Sequence, residues 1–210
     1  MRDFLKEGDG KLSPVEAVRL AKGIAQGLAY AHRKNLVHRD IKPSNILIDR
    51  TGQPVLLDFS VARDALRADS LTGTRSGLGS LSSMAPELRL GDLGPPSPRT
   101  DVYAMGGLLY QILSGAAPYV GSSSMAVLQQ VLRGPPAAPG RSVGVGAATL
   151  TLDLEVGEEM TRALPAGPPL PRDLVEACAT AMAREPDARF PDAQTLAAEV
   201  AAWLDGARRR

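Results

Sequence analysis

Leu36-Val37-His38-Arg39-Asp40-Ile41-Lys42-Pro43-Ser44-Asn45-Ile46-Leu47-Ile48 is the stretch on which the reading of this chain turns. It sets a carboxylate, an ammonium and a carboxamide within six residues, between apolar runs. A second acid, Asp58, comes thirteen residues after Asn45, in Leu56-Leu57-Asp58-Phe59. The apolar flanks are expected to form short buried strands that hold a polar loop rigidly. Residues 46–48 and 54–57 are those strands, and Asp49-Arg50-Thr51-Gly52 is the turn between them, with glycine supplying a positive φ. A hairpin with a carboxylate at its exit returns Asp58 to the side of Asn45. A base, a cation and two oxygen ligands held in this way suit magnesium and a triphosphate.

Working outward, the residues before the loop predict one long amphipathic helix, about 14 to 34. Ser13 caps it, Pro14 suits its first turn, and Glu16 stands three residues after the cap. Val15, Val18, Ala21, Ala25, Leu28 and Ala29 recur at three- and four-residue steps, with Ile24 beside them. After the hairpin, residues 60 to 83 are rich in Ser, Thr, Gly and Arg and read as a long loop. It closes on Met84-Ala85-Pro86-Glu87. Residues 88 to 100 read as a Gly/Pro-rich link. The run from Asp101 to Leu113 is apolar on nearly every face, as a helix inside a domain must be. Gly106 and Gly107 cost that helix stability, so close packing against a neighbour is the expected reason. A helix at about 122 to 133 follows. Residues 134 to 171 are read as an insertion, a solvated loop in which 149 to 156 alternate like an edge strand. Two helices, 172 to 184 and 192 to 204, complete the chain. Asp192 is placed to cap the second, and Leu196, Val200, Trp203 and Leu204 line one of its faces.

His-Arg-Asp-x-x-x-x-Asn at 38–45 resembles the catalytic loop of eukaryotic-type serine/threonine protein kinases, of the kind also found in bacteria, with every fixed position filled. The Ala-Pro-Glu at 85–87 resembles the end of the same family's activation segment, which here runs from 58 to 87. The Asp101 helix resembles the central buried helix of the kinase large lobe. Glu185-Pro186-Asp187-Ala188-Arg189 resembles an Asp-Pro-x-x-Arg turn, with Glu185 in place of the first acid. The fold this implies is mainly α: a large, C-terminal kinase lobe over residues 1–210, with short β-hairpins at the catalytic and metal-binding loops.

The resemblance also implies roles. Asp40 would accept or orient the proton of a substrate hydroxyl, and Lys42 would contact the transferring phosphate. Lysine there resembles serine/threonine rather than tyrosine kinases. Asn45 and Asp58 would hold Mg2+, and Leu47 would lie under the adenine of ATP. His38 and Phe59 would join the loop to the buried helix, Asp101 would accept hydrogen bonds from the loop's backbone, and Glu87 would pair with Arg189. Ser80 stands where the family places a Ser or Thr near the catalytic Asp. Arg39 beside Asp40 implies control by a phosphate on the loop, with Thr72 and Thr74 as its candidate sites.

Two departures weigh against full activity. Ser60 stands where the family's Asp-Phe-Gly has glycine. No Gly-x-Gly-x-x-Gly or strand lysine stands among the 37 residues before His38, so the small lobe is expected to be missing and phosphoryl transfer impaired. The face meant for that lobe would then be an exposed apolar patch, open to a partner protein. The alternative function is a non-catalytic, pseudokinase-like module that binds proteins. An unrelated phosphotransferase leaves Glu87, Asp101 and Arg189 without a role.

Composition fits these expectations. With 44% hydrophobic but only 4% aromatic residues in 210, the core must be built from Leu, Val, Ile and Ala. A net charge of +1 argues against nucleic acid or an anionic membrane as partner. Cys178 is the only cysteine, which excludes an internal disulfide and a cysteine metal cluster and fits a cytoplasmic setting. No apolar run reaches the ~20 residues of a membrane span.

Overall fold

The computed structural model describes residues 12–59, 82–90, 93–137 and 170–207. Helix α1 (Pro14–His32) begins as its sequence dictates. The Glu16 amide donates to Ser13 Oγ at 3.3 Å, and the Ser13 amide donates back to Glu16 Oε2 at 3.0 Å. Ala17, Val18, Leu20, Ala21, Ile24, Ala25 and Leu28 are buried. Full burial of a side chain the size of Ile24 or Leu28 contributes about 1.5–3 kcal/mol.

Strands β1 (Ile46–Ile48) and β2 (Pro54–Leu56) form an antiparallel hairpin in which Ile46 faces Leu56, Leu47 faces Val55 and Ile48 faces Pro54. Asp49 organises the turn, its Oδ1 accepting from the Thr51 amide, the Thr51 hydroxyl and the Gln53 amide. Gly52 has φ +80°, as expected of it. The strands are not buried as their composition predicts. Leu47 is 51% exposed, Val55 42% and Leu57 41%. A lone two-stranded ribbon has one face on a support and one outside. Here β2 rests on α1, and Ile46 and Leu56 turn inward while Leu47 and Val55 turn out.

Further along the chain lie a short α2 (Glu87–Leu90) and then α3 (Pro98–Ser114). The expected link of 88 to 100 is therefore partly helical, and α3 starts three residues before Asp101. Ser97 is the reason: its Oγ accepts from the Arg99 amide, and its own amide donates to Thr100 Oγ1 at 3.0 Å. Every residue from Thr100 to Leu109 is buried. A Cβ on Gly106 would lie 2.7 Å from Ala181 Cβ and 2.8 Å from Met182 Cγ, so only glycine permits this approach.

Helix α4 (Ser124–Arg133) is capped by Ser123, and α5 (Arg172–Ala181) and α6 (Ala193–Ala207) follow. Asp192 Oδ1 accepts the Thr195 amide at 2.7 Å, as a cap for α6. One apolar core joins α1, α3, α5, α6 and the hairpin. Among the described residues no helix is long and apolar enough to cross a membrane. The proposed strand at 149–156 and most of the insertion lie outside the described residues, as do Ser60, Thr72, Thr74 and Ser80.

Candidate active site

The loop after α1 hangs from a buried acid on α3. Asp101 is fully buried, and its Oδ2 accepts the His38 amide at 2.8 Å while Oδ1 accepts the Arg39 amide at 2.7 Å. Arg39 itself takes φ +68°. A left-handed conformation costs a residue with a Cβ roughly 1–2 kcal/mol. Hydrogen bonds from the two consecutive amides to one carboxylate hold it there.

Beyond this bend the side chains foreseen as chemical come together. Asp40 Oδ2 lies 2.6 Å from Lys42 Nζ and accepts from Asn45 Nδ2 at 2.8 Å. Asp40 is half-buried, with 21% of its side chain exposed. Asn45 sits in a 3₁₀ turn, Pro43–Asn45, and its Nδ2 also donates to the Asp40 carbonyl at 2.8 Å. Both donor bonds use the amide nitrogen, which leaves Oδ1 as the atom Asn45 can offer to a cation.

Two hydrogen bonds tie the residue before the second acid to the loop. The Leu57 amide donates to the Asn45 carbonyl at 2.9 Å, and His38 Nε2 donates to the Leu57 carbonyl at 2.9 Å. His38 therefore carries its hydrogen on Nε2, and its Nδ1 accepts from the Asp40 amide at 3.3 Å. Asp58 is the next residue, exposed and also left-handed at φ +63°. Phe59 packs on His38 with ring centroids 4.6 Å apart. Among the described residues no three His, Cys, Asp or Glu side chains form a metal cluster. A donor set of one amide oxygen and one carboxylate suits magnesium, which is commonly held by one or two protein oxygens together with phosphates.

The residues just before α2 lie against the loop. Ser83, Met84, Ala85 and Thr100 line a small hollow with Arg39 and Asp40. Below it, Arg189 donates to Glu87 through Nη1 at 2.7 Å and Nη2 at 2.8 Å, a buried bidentate pair. Burial pushes the Glu87 carboxyl up, but the hydrogen bonds and charge of Arg189, aided by Thr100, outweigh it and hold Glu87 below the usual carboxylate value.

Sequence reasoning missed three participants. Thr100 Oγ1 donates to Glu87 Oε1 at 2.9 Å, and Arg99 Nη1 donates to the Pro186 carbonyl at 2.7 Å. His32 Nε2 reaches Asp101 Oδ2 at 2.8 Å. The chain has only two histidines, which stand six residues apart at the edges of the loop. That spacing was the available signal.

A model of the protein kinase domain matches residues 1–183. A probable serine/threonine-protein kinase of Streptomyces coelicolor is 32% identical over 208 residues, which is 98% of this chain and 27% of that protein. Serine/threonine-protein kinase PknL of Mycobacterium tuberculosis is 36% identical over 202 residues, covering 96% of this chain and 44% of its own length. Serine/threonine-protein kinase PrkC of Bacillus subtilis is 40% identical over 119 residues, 57% of this chain and 18% of that protein. The chain spans less than half the length of each.

Proposed function

From the premise that this chain belongs to the protein kinase family, we propose that it carries the catalytic loop of a serine/threonine kinase, which transfers the γ-phosphoryl group of ATP to a protein Ser or Thr hydroxyl. Its domain is a kinase large lobe, with the catalytic loop at 38–45, the activation segment at 58–87 and an insertion at about 134–171. The observation that carries the proposal is the convergence on one oxygen. Lys42 and Asn45 both hold Asp40 Oδ2, so base, cation and metal-ligand side chain already stand as one cluster.

In this reading Asp40 receives or orients the hydroxyl proton of the substrate. Lys42, on a short tether beside it, offsets negative charge gathering on the phosphoryl oxygens. Asn45 and Asp58 would hold magnesium, which when bound bridges phosphate oxygens and neutralises part of their charge. The outward-facing Leu47 supports its place beneath the adenine ring. Regulation follows from Arg39, whose Nε is buried with no hydrogen-bond partner. A phosphate on Thr72 or Thr74 would supply acceptors for that guanidinium.

Titration calorimetry with Mg-ATP tests the nucleotide half of the proposal. A magnesium-dependent heat that Asp58→Ala abolishes is the expected result. Phosphorylation of a Ser/Thr peptide should fall by about 10²–10⁴-fold in Asp40→Asn, as expected for loss of a general base. No magnesium-dependent binding would overturn catalysis by this chain and favour the protein-binding module.

A further inference from the structure

Arg89 stands on the short helix α2, partly buried, and among the described residues no carboxylate pairs with it. The nearest acid in sequence, Glu87, is already taken: both its oxygens accept from Arg189, and Oε1 accepts from Thr100 as well. The side-chain partner that Arg89 does have is a sulfur. Its Nε donates to Met84 Sδ at 3.2 Å. A thioether is a weak, uncharged acceptor. It fixes the plane of the guanidinium without neutralising it, and both Nη groups remain to be used. Burial alone weighs on this group and pushes it below the usual arginine value. A charge partly withdrawn from water with no counter-charge is a cost, which an anion arriving from outside would offset. The place of that charge matters. Met84 lines the hollow that also contains Asp40, with Ser83, Ala85 and Leu88, so the guanidinium is one side chain removed from the proposed base.

We propose that Arg89 is a specificity-determining residue, which receives an acidic side chain flanking the acceptor Ser or Thr of a protein substrate. As a statement about substrates this rests on the reading of Asp40 as base. The chemistry of arginine suits the task. Its planar fork offers parallel N–H groups to the two oxygens of a carboxylate, a match of geometry as well as charge. Met84 adds to this by holding Nε, so the fork is oriented before the anion arrives and less freedom is lost on binding. The other cations beside the hollow are worse placed. Lys42 Nζ is engaged by Asp40 at 2.6 Å, and Arg39 Nε is buried. Arg89 is therefore the cation that an incoming Asp or Glu meets at this edge.

Peptide titrations of the full chain without nucleotide, followed by nitrogen-15 spectra, test this. The probes are neutral synthetic peptides with one central serine. A single Glu is placed at successive positions on either side of it, each peptide having a Gln counterpart. At one position or two neighbouring ones the Glu peptide should bind about tenfold tighter than its counterpart, as a charge-assisted hydrogen bond implies. Arg89→Met keeps an apolar stem and leaves no unpaired charge. It should erase the preference while binding the Gln peptides as before. Arg89→Lys should keep only part of it, because lysine lacks the fork. Equal binding of Glu and Gln peptides at every position overturns the proposal. So does binding of neither, or a preference that survives in Arg89→Met and so belongs to another cation. Should Arg89→Met not fold, the Arg89 Nε–H resonance of the unsubstituted chain decides. A shift with the Glu peptide but not with its Gln counterpart supports the proposal, and the same response to both overturns it. These readouts use neither nucleotide nor Asp40. A silent Mg-ATP titration would therefore remove the transfer reaction and leave the preference for acidic peptides standing. A positive one beside equal Glu and Gln binding would remove only the role of Arg89.

Discussion

At the scale of single residues, the buried Glu87–Arg189 pair carries the sharpest expectations. Removing one half leaves the other charge buried and unpaired, which typically costs ~3–5 kcal/mol. Arg189→Met should therefore lower the urea midpoint strongly, and the double variant Glu87→Gln/Arg189→Met should recover much of that loss. The pair also predicts a pH dependence. The folded Glu87 pKa lies below its ordinary value, so its contribution is fully present above the unfolded value of about 4.3 and is lost as pH falls through the folded one. Urea midpoints measured from pH 6 down to pH 3 should drop more steeply for the unsubstituted chain than for the double variant. Glu16 and Asp49, also held below their usual values by their hydrogen bonds, are common to both proteins and cancel. Cys178 offers an independent check. Burial pushes its thiol up to about 12, so a thiol reagent at pH 8 should modify it only as fast as the chain unfolds.

Among the elements, α3 depends on a missing side chain. Gly106 faces Ala181 and Met182 at distances no Cβ tolerates. Gly106→Ala should therefore destabilise by about 1–3 kcal/mol, the usual cost of overpacking, although alanine is the better helix former. Gly206, near the end of α6, has nothing within 4 Å of a built Cβ. Gly206→Ala should leave stability unchanged or raise it by up to ~1 kcal/mol. Thermal melts of the two variants, shifted in opposite directions, would separate packing from propensity. The hairpin shows the same principle from the other side. Its three-residue strands are too short to hold a face of their own, and β2 lies close on α1 because Gly23 has no Cβ to meet Pro54 Cγ.

Over the whole molecule, a single apolar cluster spans elements from the start of the described chain to its end. Trp203, the only tryptophan, packs against that cluster from α6. Unfolding should therefore be cooperative, with tryptophan fluorescence and far-ultraviolet circular dichroism tracing one urea transition. Separate midpoints would mean that α6 opens apart from the helices that frame the loop. Between α1 and β2 an open groove of about 380 Å³ is lined by Tyr30, Leu36, Val55, Leu56 and Phe59.

The sequence by itself determined the local and the contiguous: the helix from Ser13, the hairpin about Asp49, the glycine-bearing buried helix, and the family, because a fixed spacing of Asp40, Lys42 and Asn45 is written in one stretch of chain. Periodicity and capping act over a few residues, so they are legible without neighbours. Only the tertiary structure decided that β1 and β2 are half-exposed and that His32 and Thr100 belong with Asp101 and Glu87. The last two pairings join residues 69 and 13 positions apart. A hydrogen bond of that span leaves no period in the sequence, since either partner alone looks like an ordinary polar residue at a helix end.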